Sequence, residues 1–259
     1  MSAQLSGKTA LVTGASSGIG AAIARALARD GARVALLARR GDRLRELAEE
    51  LRAAHGTEAL AIEGDVADRA GIVAALEALP EPWGAPDILV NNAGGALGLD
   101  KFQDGSLDDW DAMIDVNVKG LLYVTRTLVG AMLRRGSGHI VNIGSVAGHD
   151  VYPRGNVYCA AKFAVDAITR SLAVDLVDTP LRATSIDPGL VGGTEFSLVR
   201  FHGDGEAAKK PYQGIEPLTP EDVAECVLFA VTRPPHVQIN TMILTATNQA
   251  TGWLIHRKA

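Results

Sequence analysis

Short apolar runs alternate with amphipathic stretches along almost the whole chain. Runs at 9–12, 33–37, 59–62, 88–90, 139–143 and 182–186 are rich in Val, Ile, Leu and Ala and are three to five residues long, the length of short buried strands. Between them lie helical patterns at 19–29, 43–55, 69–79, 107–135 and 157–177. A late helix at 220–231 and a last strand at 242–244 complete the series. Runs that are apolar throughout, rather than alternating, belong to strands covered on both faces. The pattern therefore predicts an α/β fold: one doubly wound parallel sheet with right-handed crossovers and helices on both faces. No linker, repeat or low-complexity tract divides the 259 residues, so a single domain over 1–259 is expected. The stretch 192–216 alone breaks the rhythm, mixing Gly, Lys, His and Asp. Its place after a strand end favours a substrate lid over a disordered insert.

Composition narrows the function classes. A net charge of −5 and a pI near 5.7 argue against general nucleic-acid or anionic-membrane binding. Cys159 and Cys226 cannot form a disulfide framework, and neither cysteines nor histidines show metal-ligand spacing, so no metal is expected. Residues 1–8 lack the apolar core of a signal peptide and no run is long enough to span a bilayer; a cytoplasmic protein is expected.

The first strand runs into Thr13-Gly14-Ala15-Ser16-Ser17-Gly18-Ile19-Gly20 and then a helix. Gly14 permits a tight turn, Gly18 lets backbone approach a phosphate, and Gly20 lets helix and strand pack closely. The helix start adds free N–H groups and the positive end of the dipole, so Gly14, Ser16, Ser17, Gly18, Ile19 and Gly20 are candidate pyrophosphate contacts. At the end of the second strand an acidic residue would bind the ribose hydroxyls of NAD. The chain has Arg39 and Arg40 there instead. Guanidinium groups grip phosphate through forked, charge-assisted hydrogen bonds, which predicts NADP(H) over NAD(H). The bland alternative makes both arginines a solvated helix start.

Tyr158 and Lys162 stand four apart on a predicted helix, hence on one face. A nearby ammonium lowers a phenol's pKa, and Tyr158 could then give a proton to a carbonyl or take one from an alcohol. Ser145, after the fifth strand, could hold the same oxygen. Asn117, inside a helical stretch, could hold a water that feeds protons to Lys162. A tyrosine and a lysine at this spacing are common on amphipathic faces, so the pair gains weight only from its company.

That company is specific. Thr13–Gly20, Asn91-Asn92-Ala93-Gly94, Asn117, Ser145 and Tyr158-Cys159-Ala160-Ala161-Lys162 follow one another as in the short-chain dehydrogenase/reductase family, and the chain resembles that family over essentially its whole length. The resemblance implies a Rossmann-type single domain, a nicotinamide cofactor and a homotetramer. It makes Tyr158 the catalytic acid/base, with Lys162 lowering its pKa and binding the nicotinamide ribose. Ser145 orients the substrate oxygen and Asn117 supports the proton relay. Asp65 and Val66 would meet the adenine, and Asn92, Ala93 and Gly94 the adenosine side. Pro188, Gly189 and Val191, with Thr194, would line the nicotinamide. The run 188–197, with 199–201, 218–223 and 239–241, resembles the NADP-dependent serine/3-hydroxy acid dehydrogenase branch. Substrates there are small hydroxy acids such as L-serine, L-allo-threonine and 3-hydroxypropionate, or the matching carbonyls. An anionic substrate needs a cation: Arg200 and the lysines Lys209 and Lys210 lie in the presumed lid, and Arg154 lies four residues before Tyr158; Arg200 and Arg154 are the leading candidates. Arg154 departs from the branch, where a small residue is usual. It marks a different substrate or is a surface arginine. A sulfonated or bulkier aldehyde remains a rival substrate, and a non-catalytic NADP-sensing protein a remote rival function.

Overall fold

The computed structural model describes residues 3–258. Seven strands form one parallel sheet: β1 (Thr9–Thr13), β2 (Arg33–Ala38), β3 (Ala59–Glu63), β4 (Ile88–Asn91), β5 (Gly138–Ile143), β6 (Leu181–Pro188) and β7 (Thr241–Leu244). Their spatial order is β3-β2-β1-β4-β5-β6-β7. Helices α1 (Gly18–Arg29), α2 (Gly41–His55), α3 (Arg69–Glu77), α4 (Leu107–Ile114), α5 (Leu121–Arg135) and α6 (Asn156–Asp175) connect the first six strands. The short α7 (Phe196–Arg200) and α8 (Gly205–Lys209) precede α9 (Pro220–Val231). The expected sheet and helices are present, except that the helix expected over 107–135 is divided.

Strand pleating explains the wholly apolar runs. Ala10 and Val12 of β1 and Val34 and Leu36 of β2 point to one face, where they pack with Ile23 and Leu27 of α1 and Val223 and Val227 of α9. Leu11, Ala35 and Leu37 point to the other, against Ile72 of α3 and Val124, Leu128 and Met132 of α5. The late helix starts with a complete capping box, Thr219 with Asp222, and has Pro220 in its first turn. Among the described residues no helix is long and apolar enough to cross a membrane.

The stretch 107–135 is not one straight helix. Between α4 and α5 the backbone winds as a π-helix over Asp115–Gly120. The cause is tertiary. The Asn117 amide is drawn to the Gly95 backbone, donating to its carbonyl at 2.9 Å and accepting from its N–H at 3.2 Å. Gly120 lies on Val66, where a Cβ would stand 2.7 Å from Val66 Cγ2. The segment 192–216 is ordered around α7, α8 and a 3₁₀ turn at Lys210–Tyr212. Asp204 caps α8, and Arg257 near the end of the chain donates to the Pro211 and Gln213 carbonyls.

The middle of the sheet contains a buried polar chain. Asn91 on β4 donates to Thr125 Oγ1 of α5 (2.9 Å) and Asn142 Oδ1 of β5 (2.8 Å), and Asn142 donates to Thr169 Oγ1 of α6 (2.9 Å). These bonds tie two central strands to the helices on one face. Asn142→Ala leaves a buried donor and a buried acceptor unpaired. It should cost about 2–4 kcal/mol, read as a lower midpoint in urea with an unchanged m-value.

Candidate active site

The sheet order reverses between β1 and β4, and a crevice opens beyond their carboxyl ends. The glycine turn forms one wall. Gly14 has φ 66° and lies so close to Asn92 and Ala93 that a Cβ would be 2.8 Å from Asn92 Nδ2. A Cβ on Gly20 would collide with the Gly14 carbonyl oxygen. Thr13 Oγ1 accepts from the N–H groups of Asn92 and Ala93, joining the two strand ends. Helix α1 begins at Ser17 without a side-chain cap and carries no acid in its first turn, so its amide donors and dipole are available to an anion. Arg40 reaches over this turn, donating to Ser16 Oγ from Nε (3.1 Å) and Nη2 (3.0 Å) and to Ser17 Oγ from Nη2 (2.7 Å). A close-approach cradle with a guanidinium beside it fits a dinucleotide carrying an extra phosphate. Arg39 is exposed and forms no ion pair among the described residues.

Two residues not singled out from the sequence join this wall. Glu195 accepts from Arg40 Nη1 at 2.7 Å and from Arg43 Nη1 at 2.8 Å. These hydrogen bonds, Arg43's first, hold its carboxyl down at about 2. Asp65 and Val66 lie beyond β3. Asp65 Oδ1 accepts from Ala67 N–H and shapes the turn, while Val66 is buried under Gly120. Val191 pairs with Leu218, Gly189 packs on Gln249, and Thr194 lies against Gly18.

On the other side of the crevice, α6 presents Tyr158 and Lys162 on one buried face. Lys162 Nζ donates to the Ile143 carbonyl at the end of β5 (2.9 Å). Burial brings its pKa down to about 8, and the Asp187 carboxylate opposes the fall. A Cβ on Gly94 would stand 2.6 Å from Asn117 Oδ1 and 3.8 Å from Lys162 Nζ, so the three residues converge. Ser145 follows β5 in extended backbone, and its Oγ accepts from Ala147 N–H at 3.1 Å. Lys162 is not among the groups that set the Tyr158 pKa, contrary to the expectation that it lowers that value. In the structure burial raises it, the neighbouring Tyr152 adds to the rise, and the opposing groups are the Ser145 hydroxyl and the Arg200 guanidinium. Lys162 Nζ, turned towards Ile143, lies 5.9 Å from the Tyr158 ring centroid.

Arg200 is only 8% exposed although it belongs to the irregular segment after β6. Nε donates to the Gly98 carbonyl (3.1 Å) and Nη1 to the Tyr152 hydroxyl (2.9 Å). Its guanidinium carbon lies 5.6 Å from the Tyr158 ring centroid and 5.4 Å from that of Tyr152. Phe196 closes on Tyr158 edge-on at 5.7 Å. Arg154, by contrast, is exposed at φ 66°, a left-handed position unusual for a side chain of its size. Behind the site, His149 and Asp187 form a pair at 2.5 Å. Asp187 is 1% exposed, and burial raises its pKa while the Ser185 and His149 hydrogen bonds oppose that. No spacing links residues 149 and 187, so only the structure reveals the pair.

A phosphate-cradling crevice at the switch point of a parallel sheet, facing a buried Tyr–Lys–Ser group, defines a dinucleotide-dependent oxidoreductase. The family model described as short chain dehydrogenase matches residues 8–202, and the chain belongs to that family. It is 47% identical over 248 residues to the NADP-dependent 3-hydroxy acid dehydrogenase of Salmonella typhi, covering 95% of this chain and 98% of that one. The enzyme of the same description from Schizosaccharomyces pombe is 42% identical over 256 residues, 98% of each chain. Among solved structures, the closed form of serine dehydrogenase complexed with NADP+ superposes with a TM-score of 0.90 at 47% identity, covering 96% of this chain and all of that one.

The Lys162 environment sets an expected pH dependence. Its ammonium is present below a pKa of about 8 and lost as pH rises through that value. The kcat/KM for carbonyl reduction should therefore fall above about pH 8. Asp187→Asn removes the charge that favours the ammonium, so the break should move to lower pH. A profile that Asp187→Asn leaves in place would show that the break belongs to another group.

Proposed function

We propose that this enzyme interconverts a small 3-hydroxy acid and its carbonyl form. The cofactor is NADP(H), which supplies or takes up the hydride. The observation that carries the substrate class is Arg200: a buried cation beside the Tyr158 ring, with Nη2 making no hydrogen bond among the described residues. A guanidinium withdrawn from water binds a carboxylate far more strongly than one on the surface.

The protein's share of the chemistry is proton handling and orientation. In reduction the Tyr158 hydroxyl gives its proton to the carbonyl oxygen, and the Ser145 hydroxyl donates a hydrogen bond to the same oxygen. In oxidation the Tyr158 oxygen takes the alcohol proton. Burial keeps Tyr158 protonated at neutral pH, which suits a proton donor. Lys162 holds the nicotinamide ribose and restores the proton. Asn117 supports that relay by fixing the π-helix and the Gly95 backbone next to Lys162. The glycine turn, with Asn92 to Gly94 and 188–194, holds the cofactor; Arg40, assisted by Arg39, holds its 2′-phosphate. Arg154 stays outside the pocket. The resemblance also suggests a cytoplasmic homotetramer. The exposed Ile243, Trp253 and Leu254 offer apolar surface for subunit contact.

Arg200→Ala should raise KM for hydroxy acids and their semialdehydes by about 10- to 100-fold, the worth of a charge-assisted contact, while KM for a neutral aldehyde changes little. Equal losses on both substrates would remove Arg200 from the carboxylate. Tyr158→Phe should abolish turnover and keep NADPH binding, measured by nicotinamide fluorescence. Retained turnover would overturn the acid/base assignment.

A further inference from the structure

Glu195 lies 155 residues from Arg40 and 152 from Arg43 in sequence, yet each of its carboxylate oxygens takes one guanidinium, at 2.7 and 2.8 Å. The same Arg40 rests on Ser16 and Ser17 of the glycine turn. The residue before Glu195 lies on that turn too: a Cβ on Gly18 would stand 3.2 Å from Thr194 Cγ2. Thr194 and Glu195 thus form a strap across the phosphate cradle, fastened at its outer end by two ion pairs. Helix α7 begins directly after Glu195 and ends in Arg200. The fastening at the arginines and the cation beside Tyr158 are therefore the two ends of one short element.

A carboxylate and a phosphate are the same kind of acceptor for a guanidinium fork. With Glu195 in place, two positive charges and one negative leave a net single positive charge for an incoming phosphate dianion. We propose that Glu195 is a built-in competitor for the 2′-phosphate of NADP(H), which yields Arg40 and Arg43 to a phosphate but not to a hydroxyl and couples arrival of that phosphate to release of the strap. A neutral ribose hydroxyl cannot replace a carboxylate on two arginines, so a cofactor lacking the 2′-phosphate leaves the strap fastened. A phosphate takes both guanidinium groups, releases Glu195 and frees the start of α7. By linkage, Glu195 weakens 2′-phosphate binding by the same factor as the phosphate weakens the Glu195 contact. This proposal rests on the reading of Arg40 as the 2′-phosphate ligand.

The test uses the full chain and two probes, adenosine 2′,5′-bisphosphate and adenosine 5′-monophosphate, titrated by calorimetry. Glu195→Gln should bind the bisphosphate about fivefold more tightly, the scale of a partly exposed ion pair, and the monophosphate as before. In an Arg40→Ala/Arg43→Ala background the same substitution should change neither affinity. In the unsubstituted protein, hydrogen exchange at residues 194–200 should quicken with the bisphosphate and not with the monophosphate. Unchanged or weaker bisphosphate binding by Glu195→Gln overturns the competition. Arg40→Ala alone separates the two ideas: if it leaves bisphosphate affinity intact, the 2′-phosphate assignment itself falls, and the competition with it. If it weakens the bisphosphate while Glu195→Gln does nothing, only the competitor role falls.

Discussion

A single buried ammonium organises the catalytic half of this molecule. Lys162 is 7% exposed, and an unpaired charge in that setting would cost several kcal/mol. One hydrogen bond to the Ile143 carbonyl and the nearby Asp187 carboxylate compensate it. Each compensation imposes a further demand. Asp187 is itself buried, so it needs Ser185 and His149. Gly144 must lack a side chain, because a Cβ would collide with Asp187 Oδ1. Gly148 must lack one because a Cβ would press on the Lys162 carbonyl oxygen at 2.7 Å. The backbone that carries Ser145 thus runs between two glycines, one required by the Asp187 carboxylate and the other by the backbone of the catalytic helix.

The parallel sheet sets the wider arrangement. All seven strands run the same way, so the segments after β1, β4, β5 and β6 emerge on one side. The turn at 14–20, the loop at 91–95, the serine loop and the strap at 194–195 meet there although the chain separates them widely. Side chains that cross between these segments, rather than the strands, give the crevice its shape. Thr13 binds the backbone of 92 and 93, Asn117 that of 95, and Glu195 the arginines after β2.

This division explains what could be read from the sequence. The strands and most helices were legible because burial on both faces writes an apolar run, and helices write a period of 3.6. The glycine turn was legible because close approach excludes every side chain at Gly14 and Gly20. The π-helical break was hidden: Asp-Val-Asn-Val-Lys-Gly at 115–120 is weak in helix propensity but nothing in it specifies a wider turn, and the contacts that hold that turn come from Gly95 and Val66. Arg43, Glu195, His149 and Asp187 were hidden for a similar reason. Each looks like a solvated charge until the fold brings its partner within 3 Å. Arg200 was visible only through resemblance, since no local pattern says that an arginine in an irregular segment turns inward.

Arg200 also bears on the state of Tyr158. Burial and the neighbouring Tyr152 hold the phenol protonated, and Arg200 is one of the groups pulling the other way. On the proposed function, a substrate carboxylate arriving at Arg200 cancels that pull. A bound anion thus disfavours the phenolate, which opposes proton donation in reduction and favours proton uptake in oxidation. Tuning the acid through the substrate's own charge requires a cation shared between the two, and the guanidinium 5.6 Å from the Tyr158 ring meets that requirement. A lysine could pair with the carboxylate equally well. Its point charge lacks the delocalised guanidinium that here lies 5.4 and 5.6 Å from the two tyrosine ring centroids, and the forked donors that hold Gly98 and Tyr152 at the same time.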